Sequence, residues 1–309
     1  MKLHVLIDNL PNPENPALQY EHGLSFLLQT PEGKNCLIDT GASGKFLENL
    51  ELLRQKDSSL PTAEEIDAVI ISHGHNDHTG GLRSFLEANT TAPVYLHSSI
   101  QGNLFFSCRN RSGATTPAVM EARSIGMEQS LFAEYSHRFI EVSSPLSITD
   151  NLTIIPLEGH PAEHPMPLGN KYLYKNDFPD NFFHEMVLVA EHTPGQVTII
   201  SPCSHNGILN ILPFLTSSQG ANSQKVTFRT SSQGAKYFVG GLHYVDYLGE
   251  EDAKKEAAQI VQAAGFIKEK YPELKVVSGH CTCAKAGDMI SSVLGERYAT
   301  FCSGYSIPL

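Results

Sequence analysis

Tryptophan is absent from this chain of 309 residues, and its six cysteines are scattered along it. Widely spaced cysteines in a cytoplasmic chain are reduced thiols or site residues, not a disulfide framework. No apolar run approaches the length of a membrane span, and the first ten residues lack the features of a secretory signal. We therefore expect a soluble, cytoplasmic protein that has no membrane partner.

Basic residues are also few. The chain has 22 Lys and Arg against 33 Asp and Glu, which gives a formal net charge of −11 at pH 7. Such a charge argues against non-specific binding of nucleic acid, so we expect no nucleic-acid partner. Hydrophobic residues make up 41% of the chain, which is enough for a large buried core.

One short stretch is dense in metal-ligand residues. The apolar strand Ala68 to Ile71 is followed by His73, His75, Asp77 and His78. His73 and His75 lie on one side of an extended segment, whereas Asp77 and His78 follow the turn and approach from another direction. Imidazole with carboxylate suits zinc, iron or manganese better than calcium or magnesium. The pattern predicts two neighbouring divalent metal ions, with zinc as the first choice.

Two further apolar strands end in small residues and a histidine. Residues Val197 to Ile200 precede His205, and Lys275 to Val277 precede His280. Because each catalytic zinc takes about three protein ligands, a two-metal site needs about six. We therefore predict that His205 and His280 complete the site. For Cys203 two alternatives remain open: it is a thiolate ligand of a metal, or it is a buried free cysteine.

Strands alternate with helical segments along most of the chain, which predicts an α/β layered fold. Val94 to His97 is a predicted strand, and Leu82 to Ala88 and Glu251 to Lys268 are predicted helices. The signal weakens over about 101–180, which we interpret as a variable region whose histidines are solvated or capping residues. The sequence Ser-Ser-Gln-Gly-Ala occurs twice at about 215–235 and predicts a mobile loop.

The motif His73-Gly-His75-Asn-Asp77-His78 resembles the signature of the metallo-β-lactamase superfamily. This resemblance implies a single domain over residues 1–309, folded as a four-layer αββα sandwich with the metals along one edge of the sheets. It also implies that Asp39, in Asp-Thr-Gly, orients a ligand histidine. On sequence alone Asp39 could equally be a helix cap or a turn residue.

Other motifs narrow the resemblance, namely Val5 to Asn9, Glu21 to Ser25, Cys203 to Asn210, Gly240 to His243 and His280 to Thr282. Together they resemble the branch typified by archaeal 7,8-dihydropterin-6-methyl-4-(β-D-ribofuranosyl)aminobenzene-5′-phosphate synthase. The branch implies that one metal is held by His73, His75 and His205 and the other by Asp77, His78 and His280. It places His243 and His22 on the substrate side, so the catalytic candidates are Asp77, His243 and His22.

The chain departs from this branch in two places. Cys283 stands where glycine is usual, and His184-Glu185 stands where relatives have Asp-Glu. The bridging aspartate of the common superfamily pattern also has no obvious match, since the strand before His205 ends in Pro-Cys-Ser.

These features predict a metal-dependent enzyme that acts on a phosphorylated or anionic small molecule, with oligomerisation left open. If the branch activity holds, the enzyme is a dihydropterin-diphosphate C–N transferase of the synthase type. The alternative is a hydrolase of phosphodiester, lactone or thioester substrates that uses a metal-bound hydroxide. A di-iron redox protein is disfavoured, because such relatives carry glutamate in place of His75. A non-catalytic ligand sensor is the last hypothesis.

Overall fold

The computed structural model describes residues 1–108, 122–159, 162–216 and 234–309. His160 and most of the predicted mobile loop at about 215–235 lie outside the described residues. Within the described ranges we number the strands β1 to β18 and the helices α1 to α7 along the chain.

The strands of the described residues form three sheets, two of them large. The first contains, in spatial order, β18 (Ser306–Pro308), β1 (Lys2–Ile7), β2 (Ser25–Gln29), β3 (Asn35–Ile38), β4 (Ala68–Ile70), β5 (Val94–His97) and β8 (Phe139–Val142). The second contains β17 (Tyr298–Thr300), β16 (Lys275–Ser278), β15 (Ala235–Gly240), β14 (Gln196–Ile200), β13 (Met186–Thr193), β10 (Leu152–Pro156) and β9 (Leu146–Thr149). The small third sheet contains β12 (Phe178–Pro179), β11 (Leu173–Lys175), β6 (Phe105–Ser107) and β7 (Arg123–Ser124).

The two large sheets share one topology. In the first, β1, β2 and β3 are antiparallel, and β3, β4, β5 and β8 then run parallel. In the second, β9, β10, β13 and β14 are antiparallel, and β14, β15, β16 and β17 run parallel. Because parallel strands end at the same edge, each sheet presents a row of carboxyl-terminal turns.

Helices cover the outer faces of the two large sheets. In the described residues they are α1 (Lys45–Arg54), α2 (Asn76–Thr79), α3 (Leu82–Ala88), α4 (Leu131–Glu134), α5 (Ile208–Thr216), α6 (Glu250–Lys270) and α7 (Ala284–Leu294). Along the chain, α1 and α2 follow strands of the first sheet, α3 follows α2, and α4 follows β7 of the third sheet. Helices α5, α6 and α7 belong to the second half.

Side-chain alternation along the strands divides the core into layers. On β2, Phe26 and Leu28 pack between the two large sheets, whereas Leu27 points to the opposite face and packs with Phe46 of α1 and Phe85 of α3. This follows from the pleat, since successive side chains of a strand point to opposite faces. A third cluster packs the second sheet against α5, α6 and α7. The predicted four-layer αββα sandwich is confirmed.

The predicted elements agree well with the observed ones. β5 and α3 have the predicted bounds, and α6 is longer than predicted by one residue at its start and two at its end. The region of about 101–180 contains the small third sheet, which the sequence did not reveal. Every helix in the described part of the chain is too short or too polar to span a bilayer. The division into a single domain stays a prediction.

Gly240 ends β15 at a φ of 140°, and a Cβ there would lie 1.9 Å from the carbonyl oxygen of Ser201. Because the obstacle is backbone, we expect Gly240→Ala to lower the free energy of unfolding by at least ~2 kcal/mol. Gly265→Ala on α6 is the control, since its Cβ would meet nothing within 4 Å, and it should be neutral or stabilise by up to ~1 kcal/mol. Urea denaturation measures both, and equal midpoints would contradict the expectation.

Candidate metal centre

Three carboxyl-terminal turns bring the predicted ligands together at one edge of the sandwich. The turn after β4 carries His73, His75, Asp77 and His78; the turn after β14 carries His205; and the turn after β16 carries His280. The five histidines are buried, and rings from the first sheet contact rings from the second. The centre therefore lies between the two sheets.

The first group consists of His73, His75 and His205. His73 Nε2 lies 3.1 Å from His75 Nδ1 and 3.3 Å from His205 Nε2. Nitrogens bound tetrahedrally to one zinc at about 2.0–2.1 Å are separated by about 3.3 Å. The spacing of these three nitrogens therefore suits three ligands of a single ion.

The second group consists of His78, His280 and Asp77. His78 Nε2 lies 3.0 Å from His280 Nε2, and Asp77 Oδ2 lies 3.6 Å from His280 Nε2 and 4.0 Å from His78 Nε2. The carboxylate is slightly farther away than the imidazoles are from each other. This group is therefore a looser arrangement than the first.

Two asparagines fix the tautomers of His205 and His280. The Asn170 amide donates to the His205 carbonyl (2.8 Å), so its oxygen accepts from His205 Nδ1 (2.9 Å). Asn9 likewise donates to the His280 carbonyl (3.0 Å) and accepts from His280 Nδ1 (3.1 Å). Both rings therefore carry their proton on Nδ1 and direct an Nε2 lone pair into the centre.

Asp39 and Ser72 fix the tautomers of His73 and His78. The Ser72 hydroxyl donates to Asp39 (2.7 Å) and so accepts from His73 Nδ1 (2.9 Å). His78 Nδ1 donates directly to Asp39 Oδ2 at 2.7 Å. Asp39 thus contacts both Ser72 and His78. That it orients a metal ligand stays a prediction.

Lone pairs that face one another at about 3 Å repel unless a cation lies between them. His73 Nε2 and His205 Nε2 form such a pair, and so do His78 Nε2 and His280 Nε2 when His78 is neutral. Burial, followed by the neighbouring histidines, holds the pKa values of His73 and His205 well below normal, so both rings are neutral at pH 7. The donor set therefore fits divalent metal ions that bind neutral imidazole.

Charge is unevenly divided between the two groups. Burial opposes ionisation of Asp77, but the charges of His78, His280 and His22 outweigh it and lower the pKa of this carboxyl. Burial also disfavours protonated His78, yet the charge of Asp39 raises the pKa of His78. Burial lowers the pKa of His75 to about 4. The second group therefore holds the anionic donor and the more basic imidazole.

Three buried carboxylates hold the turns through their backbone N–H groups. Asp39 Oδ1 accepts from the Ser72 N–H at 2.7 Å, and Asp8 Oδ1 accepts from the His280 N–H at 2.8 Å. Glu185 accepts from the N–H groups of His205 and Asn206, both at 2.8 Å. Each of the three turns is thereby fixed relative to a neighbouring strand.

Several residues of the centre have strained backbones. Asp39, Ser204, His243 and His280 have φ values of 51° to 58°, in the left-handed region that favours glycine. Such conformations cost of order 1–3 kcal/mol each and persist only where the surroundings enforce them. Their concentration at strand ends around one site indicates a functional centre.

A cavity of about 1330 Å³ opens over the histidines. His22 and His243 line it together with His75, Asp77 and Arg123. His22 Nε2 lies 3.4 Å from Asp77 Oδ2, and its ring stacks on that of His280. The third sheet supplies one wall, because Ser107 of β6, Arg123 of β7 and Leu173 of β11 line the cavity.

Sequence reasoning missed the residues that hold the histidines. Asn9, Ser72 and Asn170 contact the imidazoles of His280, His73 and His205, and Glu185 accepts from the backbone N–H of His205. Only the fold shows these contacts. His184 was noted only as a departure from relatives; its Nδ1 accepts from the Gly74 N–H at 3.1 Å, and its Nε2 faces Asp180 at 2.9 Å. It therefore supports the backbone between His73 and His75.

Comparison with known proteins agrees with the geometry. Residues 20–102 match the family model of the metallo-beta-lactamase superfamily. Over 316 aligned residues the chain is 26% identical to 7,8-dihydropterin-6-methyl-4-(beta-D-ribofuranosyl)-aminobenzene-5'-phosphate synthase of Methanocaldococcus jannaschii, covering 98% of this chain and 95% of that protein. Over 80 residues it is 37% identical to a metal-dependent hydrolase of Herpetosiphon aurantiacus, covering 26% of this chain and 30% of that one.

The fold is also shared with a solved structure. A metal-dependent hydrolase of the beta-lactamase superfamily superposes with a TM-score of 0.71 at 23% identity, covering 100% of this chain and 99% of that one. The chain is therefore similar to the metallo-beta-lactamase superfamily over residues 20–102, and it shares the fold of this hydrolase along its whole length.

Proposed function

We propose that this protein is a metal-dependent enzyme that binds two divalent ions, zinc in first place, and acts on a phosphorylated or anionic small molecule. The observation that carries the proposal is the convergence of imidazole lone pairs from both sheets on the floor of one cavity. His73, His75 and His205 hold one ion, and Asp77, His78 and His280 hold the other. Bound ions of this kind act as Lewis acids and lower the pKa of water to near ~7.

The cavity supplies groups that suit an anionic substrate. Arg123 and the histidines His22 and His243 face it, and each can donate hydrogen bonds to a phosphate or carboxylate. His22 lies between Asp77 and solvent, with a side chain that is 66% exposed, so it can meet a substrate as it enters. His243 lies deeper, against the ring of His205 at 4.1 Å between centroids. The two histidines would hold opposite ends of one anionic group.

The finer proposal is a transferase that displaces diphosphate from a dihydropterin diphosphate with an aromatic ribosyl phosphate. The cavity volume of about 1330 Å³ supports it, because pockets for one small ligand usually occupy ~300–1,000 Å³. There is room for a donor and an acceptor together. The similarity to an archaeal synthase over nearly the whole chain supports the same reaction class.

A metallo-hydrolase of phosphodiester, lactone or thioester substrates is the second candidate. The observation in its favour is the access of water to the second group: Asp77 keeps 17% of its side chain exposed, beside the exposed His22. A transferase must keep water from the donor, whereas a hydrolase needs water at this place. An acceptor that covers Asp77 would exclude water and favour transfer, whereas an Asp77 that stays exposed would favour hydrolysis.

One assay distinguishes the candidates. Zinc-loaded protein is incubated with a dihydropterin diphosphate, with and without the aromatic ribosyl phosphate, and both diphosphate and the coupled product are measured. Diphosphate release only with the acceptor supports the transferase, whereas release without acceptor, or turnover of phosphodiester, lactone or thioester probes, supports the hydrolase. Fully loaded protein that turns over none of these compounds would contradict the enzyme proposal and favour a ligand sensor.

Removal of a ligand imidazole should remove metal. We expect His73→Ala and His75→Ala to lose most bound zinc and all activity while keeping a native circular dichroism spectrum, because the turn lies outside the core packing. The control is His137→Ala, a change at an exposed histidine, which should keep the metal. Metal analysis of protein purified without added zinc measures this, and unchanged content in both variants would refute the assignment.

Asp39→Asn should weaken metal binding without unfolding the protein. Asparagine tolerates the left-handed backbone at this position, but its amide has only one acceptor oxygen. It therefore cannot accept both from the Ser72 N–H, now at Oδ1, and from the Ser72 hydroxyl and His78, now at Oδ2. Loss of such a supporting hydrogen bond typically lowers metal affinity about 10–100-fold. Competition with a chelator measures the affinity, and Asp150→Asn, at an exposed position, is the matched control. Equal affinities for the two variants would end this assignment.

His243→Ala and His22→Ala should retain metal and lose activity. If each donates a hydrogen bond to an anionic substrate, its removal costs ~1.5–3 kcal/mol, or about 10–100-fold in kcat/KM, mainly through KM. His164→Ala, at a half-buried histidine outside the cavity lining, serves as control. Loss of zinc from either variant, or an unchanged KM, would show that these histidines do not hold the substrate.

A further inference from the structure

Cys203 lies at the junction of the two proposed metal sites. Its side chain is 3% exposed, in the turn between β14 and His205. The sulfur and one ring nitrogen each of His73 and His205 lie within 4.8 Å of one another. The sulfur and one ring nitrogen each of His78 and His280 likewise lie within 4.8 Å of one another. A single atom is therefore within ligand range of both groups.

Charge balance gives an independent reason for an anionic ligand at this junction. The six proposed ligands comprise five neutral imidazoles and one carboxylate, that of Asp77. Two divalent ions held by this set leave three positive charges on the ions and their ligands, and the buried carboxylates of Asp8, Asp39 and Glu185 contact the turns and not the ions. A further anion in direct contact with both ions would stabilise this buried charge. Thiolate is also a good ligand for zinc, at about 2.3 Å.

We propose that the Cys203 thiolate is a seventh protein ligand, shared between the two metal ions. With the ions in place, Cys203 would hold them as a thiolate; the proton of its S–H bond would leave to solvent through the open cavity, and no oxidation would be involved. This inference rests on the two-metal site of the proposed function. It adds a ligand that the sequence left undecided between metal binding and simple burial.

The surroundings of Cys203 suit a thiolate once metal is present. Burial, and then the neighbouring Cys281, raises the pKa of the Cys203 thiol well above normal, so the thiol ionises only with a cation beside it. Cys281 Sγ lies 3.3 Å from Cys203 Sγ, and His243 Nδ1 lies 3.5 Å from it. Both can donate a hydrogen bond to the sulfur.

X-ray absorption at the zinc edge tests the inference directly on the full-length, zinc-loaded protein. We expect a sulfur shell at about 2.3 Å beside the nitrogen and oxygen shell. The shell should vanish in Cys203→Ser and persist in Cys281→Ser and in Cys283→Ser. Cys283 is the matched control, because it also lines the cavity and is half-buried. Cobalt-substituted protein should show the same pattern in its near-ultraviolet sulfur-to-cobalt absorption.

Cys203→Asp provides a second variant should the serine variant fold poorly. A carboxylate can bridge two ions, so this variant should keep both metals and lose only the sulfur shell. Wild-type zinc with a pure nitrogen and oxygen shell would overturn the inference and leave the metal site intact. A sulfur shell that persists in Cys203→Ser would overturn it as well, and would assign the sulfur to Cys281 if Cys281→Ser removed it. Wild-type protein that binds no zinc would overturn the proposed function itself.

Discussion

This centre depends on one kind of interaction. The backbone N–H groups of the histidine turns donate charge-assisted hydrogen bonds to buried carboxylates. Asp8, Asp39 and Glu185 lie directly beside strands and accept from N–H groups of the three turns. Hydrogen bonds to charged groups contribute about 1.5–3 kcal/mol each, which is enough to offset a left-handed residue in the same turn. Without them, the turns could relax and separate nitrogens that now lie about 3 Å apart.

The shared topology of the two large sheets explains why the ligands come from distant parts of the chain. Each half changes from antiparallel to parallel pairing, so each sheet places its carboxyl-terminal turns at the same edge. The first sheet contributes four ligand candidates on one turn, and the second contributes His205 and His280 on two. Both groups mix residues from the two sheets, so the distances across the centre depend on the apolar layer between them. Phe26 and Phe301, in edge-to-face contact within that layer, help to fix the spacing.

The ligand candidates could be predicted from the sequence, whereas the residues that orient them could not. The His73 to His78 motif, and the recurrence of strand, small residue and histidine at His205 and His280, followed from local patterns that the topology turned into proximity. Asn9 and Asn170 could not be identified in this way, because an asparagine that orients an imidazole looks like any loop asparagine until the fold is known. The third sheet was missed for a related reason: its strands have only two or three residues, too few to show a period.

The left-handed residues of the centre lower the stability of the fold through backbone strain, but their side chains lie in or beside the site. Glycine at Ser204, His243 or His280 would relieve backbone strain, yet it would delete a side chain that the centre uses or sits beside. At Asp39 it would also remove the hydrogen bonds that offset the strain. Directed evolution for heat tolerance alone would therefore tend to select changes at the first three positions that abolish the site. A search for stabilised variants of this protein should hold them constant and look for gains elsewhere, such as the exposed surface of the long helix α6.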